Sequence, residues 1–198
     1  MKRCKHLSIP LLILVLASSA LLGGCAAVVV GGAATGAGVV HDRRTSGVIV
    51  DDQAIKLKLM DFISKHEDIA SRSSISVTSY NLSVLLAGTA ENNSIRQRVA
   101  DYASSLQRVK RVYNEIAIGP RLPLKTDAAD AYLTSKIKVK LFGIKLESFD
   151  PTRVKVLTSD GVVYLMGLLT PKETETVVDL VRHIDGVQRV VKLFDITN

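Results

Sequence analysis

The sequence VKRVYNEI at 109–116 returns as VQRVVKLF at 187–194, 78 positions later. Reading outward from this pair shows that most of the chain is one unit written twice, and an internal repeat sets an architecture before any single motif does. Upstream of each copy lies an amphipathic stretch, 94–106 and 171–184, the second opening with Pro171 where a helix loses no hydrogen bond. Before these come two pairs of β-rich segments, 75–80 with 82–88 and 154–159 with 162–167. Gly88 and Gly167 close the second segment of each pair, 79 positions apart. Tyr80–Asn81 is read as the turn of the first pair, and Asp160–Gly161, a strong hairpin signal, as that of the second. Each unit opens with a helix, near 51–65 and over 127–146, and Ile55, Leu59 and Ile63 fall 78 positions before Leu133, Ile137 and Leu141. The order is helix, strand, strand, helix, strand, twice.

Three strands with one apolar face can be covered by two helices, so the fold class is α/β (α+β), a two-layer sandwich in each unit. The layout that follows is a leader over 1–24, a Cys and small-residue tether over 25–50, unit one over 51–119, a linker over 120–126 with Pro120 and Pro123, and unit two over 127–198. Each unit has about 70 residues, within the range that folds alone.

The opening helix of unit two, DAADAYLTSKIKVKLFGIKL at 127–146, carries more apolar surface than its own unit needs. Ala129, Leu133, Ile137, Leu141 and Ile144 share one face at the three-and-four spacing of a helix and read as core. Tyr132, Val139, Phe142 and Leu146 form a second stripe on roughly the opposite side, bordered by Lys136 on one flank and by Lys138 and Lys145 on the other. A helix apolar on two sides is either buried, here against unit one, or carries an interaction surface. The lysine rim favours the second, because it is the pattern of a helix lying in a membrane interface. The opening helix of unit one shows off-face Leu57 and Met60 but no comparable stripe, which points to unit two as the binding unit.

The N-terminus supplies an address. Lys2, Arg3 and Lys5 precede an apolar run at 7–16, followed by LGGC at 22–25, the three parts of a secretory signal. The run is shorter than the ~20 residues of a membrane span. LGGC resembles the lipobox of bacterial lipoproteins, in which Cys25 is acylated and becomes the new N-terminus; an ordinary signal peptide ending in Cys is the plainer alternative. Ala26 after the Cys, rather than Asp, resembles the outer-membrane sorting pattern, facing the periplasm. Cys4 leaves with the leader, so no intramolecular disulfide and no thiolate metal cage is open to the remaining chain. The segment 26–40 is Ala, Gly and Val with one Thr and reads as a flexible tether, or as a glycine-zipper oligomerisation segment.

The formal charge of +7 falls to about +4 without the leader cations, too modest an excess for a general nucleic-acid binder. His41, His66 and His183 lack metal-ligand spacing, Gly31–Gly38 precede no phosphate-loop Lys, and no nucleophile motif is present. No cofactor is expected. Glu173 and Glu175 fit the first turn of a helix, where acids favour the dipole. Arg108, Lys110 and Arg111 read as a solvated basic turn.

With these residues in hand, each unit resembles a BON domain, a module of bacterial periplasmic and membrane-associated proteins. VLLAG at 84–88, VYLMG at 163–167 and the closing Val-x-Arg-Val at Val109 and Val187 carry the resemblance, which covers about 51–198. With lipobox and tether, the chain is similar to dual-BON lipoproteins of the outer membrane. The resemblance implies a non-catalytic protein that binds anionic phospholipid through the second unit and supports outer-membrane integrity, with a link to the division site. Tyr132 and Phe142 then occupy the positions expected to insert. Tyr132 stands where Trp is expected, which implies a weaker interfacial hold. The other partner class is protein: outer-membrane assembly proteins, served by a chaperone-like or interaction module using the same apolar surface or a free sheet edge.

Overall fold

Two tight turns organise the folded chain. In the computed structural model, which describes residues 42–198, Asn81 and Leu82 have φ of 51° and 64°, and Asp160 and Gly161 have 49° and 71°. Consecutive left-handed residues make the type I′ hairpin, whose twist matches its strands. The first turn therefore sits one residue later than the sequence suggests, at Asn81–Leu82. Leucine is a poor occupant of positive φ, which hid it. Its conformation is held from outside: the Asp52 carboxylate accepts the N–H of Asn81 at 2.8 Å and that of Leu82 at 2.9 Å. The leader, Cys25 and the tether as far as His41 lie outside the described residues, while residues 46–50, read as the end of the tether, are the first turn of a helix.

The first unit runs α1 (Ser46–Lys65), a short α2 (Glu67–Ala70), β1 (Ser73–Tyr80), β2 (Ser83–Ala90), α3 (Asn93–Ser105) and β3 (Arg111–Ile118). The second runs α4 (Leu124–Leu141), a 3₁₀ turn (Pro151–Arg153), β4 (Lys155–Ser159), β5 (Val162–Leu169), α5 (Pro171–Arg182) and β6 (Arg189–Ile196). Each sheet has the order first, second, third, with an antiparallel hairpin and then a parallel pair. The parallel step needs a crossover, which α3 and α5 provide. Their starts are cut by side chains: Asn92 Oδ1 accepts from the N–H of Ile95, and Thr170 with Glu173 forms a capping box.

Side chains alternate across each middle strand. Val84, Leu86 and Ala90 join Ile55, Leu59, Val99 and Ile116 in a core beneath the helices. Val163, Leu165 and Leu169 do the same with Leu133, Ile137, Leu141, Val177 and Val181. The opposite faces are also covered, because Leu85 and Ala87 pack with Tyr80, Tyr164 and Met166 in a third cluster. The two sheets therefore meet face to face, with the helices outside, giving four layers. This explains why the middle strands read as continuous apolar runs rather than alternating ones.

Gly88 and Gly167 mark where strands come closest to their neighbours. A Cβ on Gly88, whose φ is 122°, would lie 1.9 Å from the Ser74 carbonyl oxygen. On Gly167 it would lie 2.8 Å from that of Arg153.

Polar ties reinforce the joint between domains. Asn81 Nδ2 donates to Asp195 at 2.8 Å. Just before α1, Arg44 reaches Asp52 at 2.8 Å and Asp42 at 2.7 Å, with its guanidinium 3.9 Å over the Tyr80 ring. Arg43 instead grips the second domain. Its two Nη atoms lie 2.6 and 3.0 Å from the Glu173 carboxylate, and Nη1 donates to the Leu168 carbonyl at 3.0 Å.

Candidate functional site

Helix α4 begins after Pro123 without a side-chain cap and ends at Leu141, with Phe142 at its C-cap. A continuous helix over 127–146 is thus corrected at its last turn. Gly143 is a weak helix former, and beyond it only short-range bonds persist, Gly143 N–H to Lys140 at 3.0 Å and Ile144 N–H to Leu141 at 3.2 Å. Lys145 and Leu146 therefore stand in the following loop.

The inward face is Leu133, Ile137 and Leu141, as the spacing predicts. Ala129, expected on that face, is exposed, and Asp130 is buried in its place. Its carboxylate accepts the N–H of Asp160 at 2.7 Å and of Gly161 at 3.0 Å. This is the counterpart of Asp52, 78 positions earlier, so one acid per unit fastens the opening helix to the hairpin turn. The repeat offset was the signal for this pair, and reading acids only as charge passes it by.

On the outward face, Tyr132, Val139 and Phe142 are 72%, 72% and 70% exposed, and Leu124 extends the line at 81%. The first domain does not cover them, because it docks through the sheets. The rim is uneven. Lys136 is half-buried and turned to Asp185, donating to its carbonyl at 3.1 Å and lying 3.7 Å from its carboxylate. Lys138, Lys140 and Lys145 are exposed and have no ion-pair partner among the described residues. Leu146 is half-buried. Partial desolvation, then Lys56, Lys138 and Arg44, hold the ammonium of solvent-exposed Lys155 below its ordinary pKa. At the other end Tyr132 borders a 420 Å³ hollow whose walls include Asp160 and Asp185.

The first domain differs from expectation. Because α1 starts at Ser46, Val50 joins Leu57 and Met60, and all three are exposed. Their spacing matches that of Tyr132, Val139 and Phe142, so α1 does carry an apolar stripe. In the repeat frame it is set back four residues, about 40°, from the stripe of the second domain, and at about 100° per residue Asp61 borders it beside Val50.

Nothing assembles a catalytic set among the described residues. His66 Nδ1 is 2.7 Å from the Phe62 carbonyl and His183 Nδ1 is 2.7 Å from that of Asp179, each four residues back on its helix. No group of three or more metal-binding side chains occurs among them, and no described helix is long and apolar enough to cross a membrane. Glu173 does more than favour a dipole: it is buried, caps α5 and receives Arg43. Arg108 and Arg111, expected in a solvated turn, reach Asp51 at 2.6 Å and Asp195 at 3.7 Å.

Comparison with known proteins agrees with this architecture. The BON domain family matches at residues 51–120 and 129–198. The chain is 32% identical over 162 residues to the outer membrane lipoprotein DolP of Haemophilus influenzae, covering 81% of this chain and 82% of that protein. It is 30% identical over 154 residues to the 21 kDa hemolysin of Actinobacillus pleuropneumoniae, covering 78% of each. Among solved structures, the C-terminal domain of CdsD, a structural protein of the type III secretion system of Chlamydia trachomatis, is 18% identical. That likeness covers 74% of this chain and 67% of the other at a TM-score of 0.28, too loose to carry an argument. The two family matches and the shared length with its relatives establish that this chain belongs to the BON-domain family, of which it carries two copies.

Proposed function

We propose that the protein is an outer-membrane lipoprotein, anchored through acylated Cys25 and facing the periplasm, whose second BON domain binds anionic phospholipid. The observation that carries this reading is the exposed line of Tyr132, Val139 and Phe142 beside exposed lysines without an ion pair among the described residues. A buried helix would have hidden that line. Apolar side chains that enter the headgroup region, with cations at their rim, are the features of an interfacial helix. The likeness to a relative named as an outer membrane lipoprotein supports the same address. Acylation fixes the protein to one membrane, and the stripe adds a weak hold that responds to lipid charge. Each Lys near an anionic surface contributes about 1 kcal/mol, reduced by salt. No chemical step is required, and the effect on membrane integrity follows from where the domain dwells.

Co-sedimentation of the non-acylated Cys25→Ser chain with vesicles tests this. Binding is expected to phosphatidylglycerol-containing vesicles and not to pure phosphatidylcholine, and Phe142→Glu is expected to abolish it. Equal binding to neutral vesicles, or an unaffected Phe142→Glu chain, would sink the mechanism. Capture of one envelope protein by a crosslinker near position 142, without any lipid affinity, would favour the protein-interaction reading.

A further inference from the structure

Charge is distributed unequally along the exposed stripe. At its Phe142 end stand Lys138, Lys140 and Lys145, exposed and without an ion pair among the described residues. Glu147 lies in the adjoining loop, and Glu175 and Asp179 face Lys140 and Lys145 across a hollow to which Arg182, paired with Asp179, and Lys192 also contribute. At its Tyr132 end the neighbours include Asp160 and Asp185. Two cations lie at that end, Lys125 and Lys136, and Lys136 is engaged by Asp185. One pole is therefore positive and the other close to balanced.

The root of the N-terminal chain gives a second, independent observation. Arg43 is bound to Glu173 at the start of α5, and Glu173 also lies 3.7 Å from Arg153. Arg153 in turn donates to the carbonyl of Ser148 at 2.8 Å, six residues beyond Phe142. The chain thus enters the folded part beside the loop that continues the Phe142 pole, although its first helix belongs to the other domain.

We infer that the second domain meets an anionic bilayer end-on, led by the Phe142 pole, with Tyr132 riding shallower. This rests on the membrane reading above and adds to it an orientation and an order of importance among the lysines. An anionic surface attracts the positive pole and is opposed by the carboxylates at the other. Arg43 holds the first described residues beside the loop at the leading pole. A flat-lying helix would instead press Asp160 and Asp185 toward anionic headgroups.

The test uses the Cys25→Ser chain with a nitroxide at either Ala128→Cys or Glu147→Cys, both exposed positions, on phosphatidylglycerol-containing vesicles. Immersion is expected to be deeper at 147 than at 128. Neutralising Lys138, Lys140 or Lys145 to Gln is expected to weaken binding by about fivefold each, and Lys136→Gln by less than about twofold. Equal immersion at the two positions, or an equal effect of Lys136→Gln, overturns the orientation and leaves the membrane reading standing. No immersion at either position overturns both.

Discussion

Asp52 and Asp130 show how much one buried carboxylate settles. Each ends the freedom of a hairpin turn by accepting two backbone N–H groups, and each fixes where its helix crosses the sheet. Removing an acceptor leaves its part-buried or buried backbone donors without that partner, at up to about 1–3 kcal/mol. Asp130→Ala is expected to lower stability by that amount, read as a lower urea midpoint at unchanged slope. Asp52→Ala is expected to cost more, because Asp52 also receives Ser79 at 2.7 Å and Arg44 at 2.8 Å. The pair was legible in the sequence as two acids at the repeat offset. Their role was not, since burial is a property of the packed helix and not of the residue.

At the scale of the element, the repeat and its hydrophobic spacing gave nearly every helix and strand, with errors confined to ends. Helix α1 begins at Ser46 because Thr45 caps it, its side chain accepting from the N–H of Val48. That extension adds Val50 to the exposed face, and without it the stripe of α1 could not be seen. Helix α4 stops at Leu141 for the opposite reason, a glycine two residues on. The glycines of the middle strands are the tightest constraint on the sheets. Gly88→Ala places a methyl group against a carbonyl oxygen at a φ that favours glycine. We expect a loss of about 3 kcal/mol or more, measured by urea unfolding. A loss under about 1 kcal/mol would mean that β1 gives way easily there.

At the scale of the whole molecule, the sheet-to-sheet joint and the Arg43–Glu173 clasp make one body of two domains. Burial alone would raise the Glu173 pKa, but the Arg43 side chain and the Thr170 backbone N–H outweigh it and hold the group below its ordinary value. A depressed carboxylate pKa contributes stability above its unfolded value, about 4.3, and that contribution is lost as pH falls through the lower folded value. The urea midpoint is therefore expected to drop as pH falls below about 4.5, with Arg43→Ala reducing the slope of that drop. An identical slope in the variant would show that other carboxylates account for all of it. Asp42, which Arg44 also holds below its ordinary value, is the first of those.

The sequence by itself determined the unit, its repetition and its family, because periodicity and turn chemistry are local and recur at a fixed offset. It also determined that the opening helix of the second unit has a surplus apolar face, since that needs only the geometry of one helix. Only the tertiary structure decided that the face is open. Both middle strands are apolar on their two sides, and the chain satisfies this by stacking sheet on sheet. The first domain is thereby committed to the far side of the second sheet, and α4 keeps Tyr132, Val139 and Phe142 in solvent. Which lysines lack an ion pair among the described residues is likewise a matter of the fold, because Asp185, 49 residues after Lys136, engages that one.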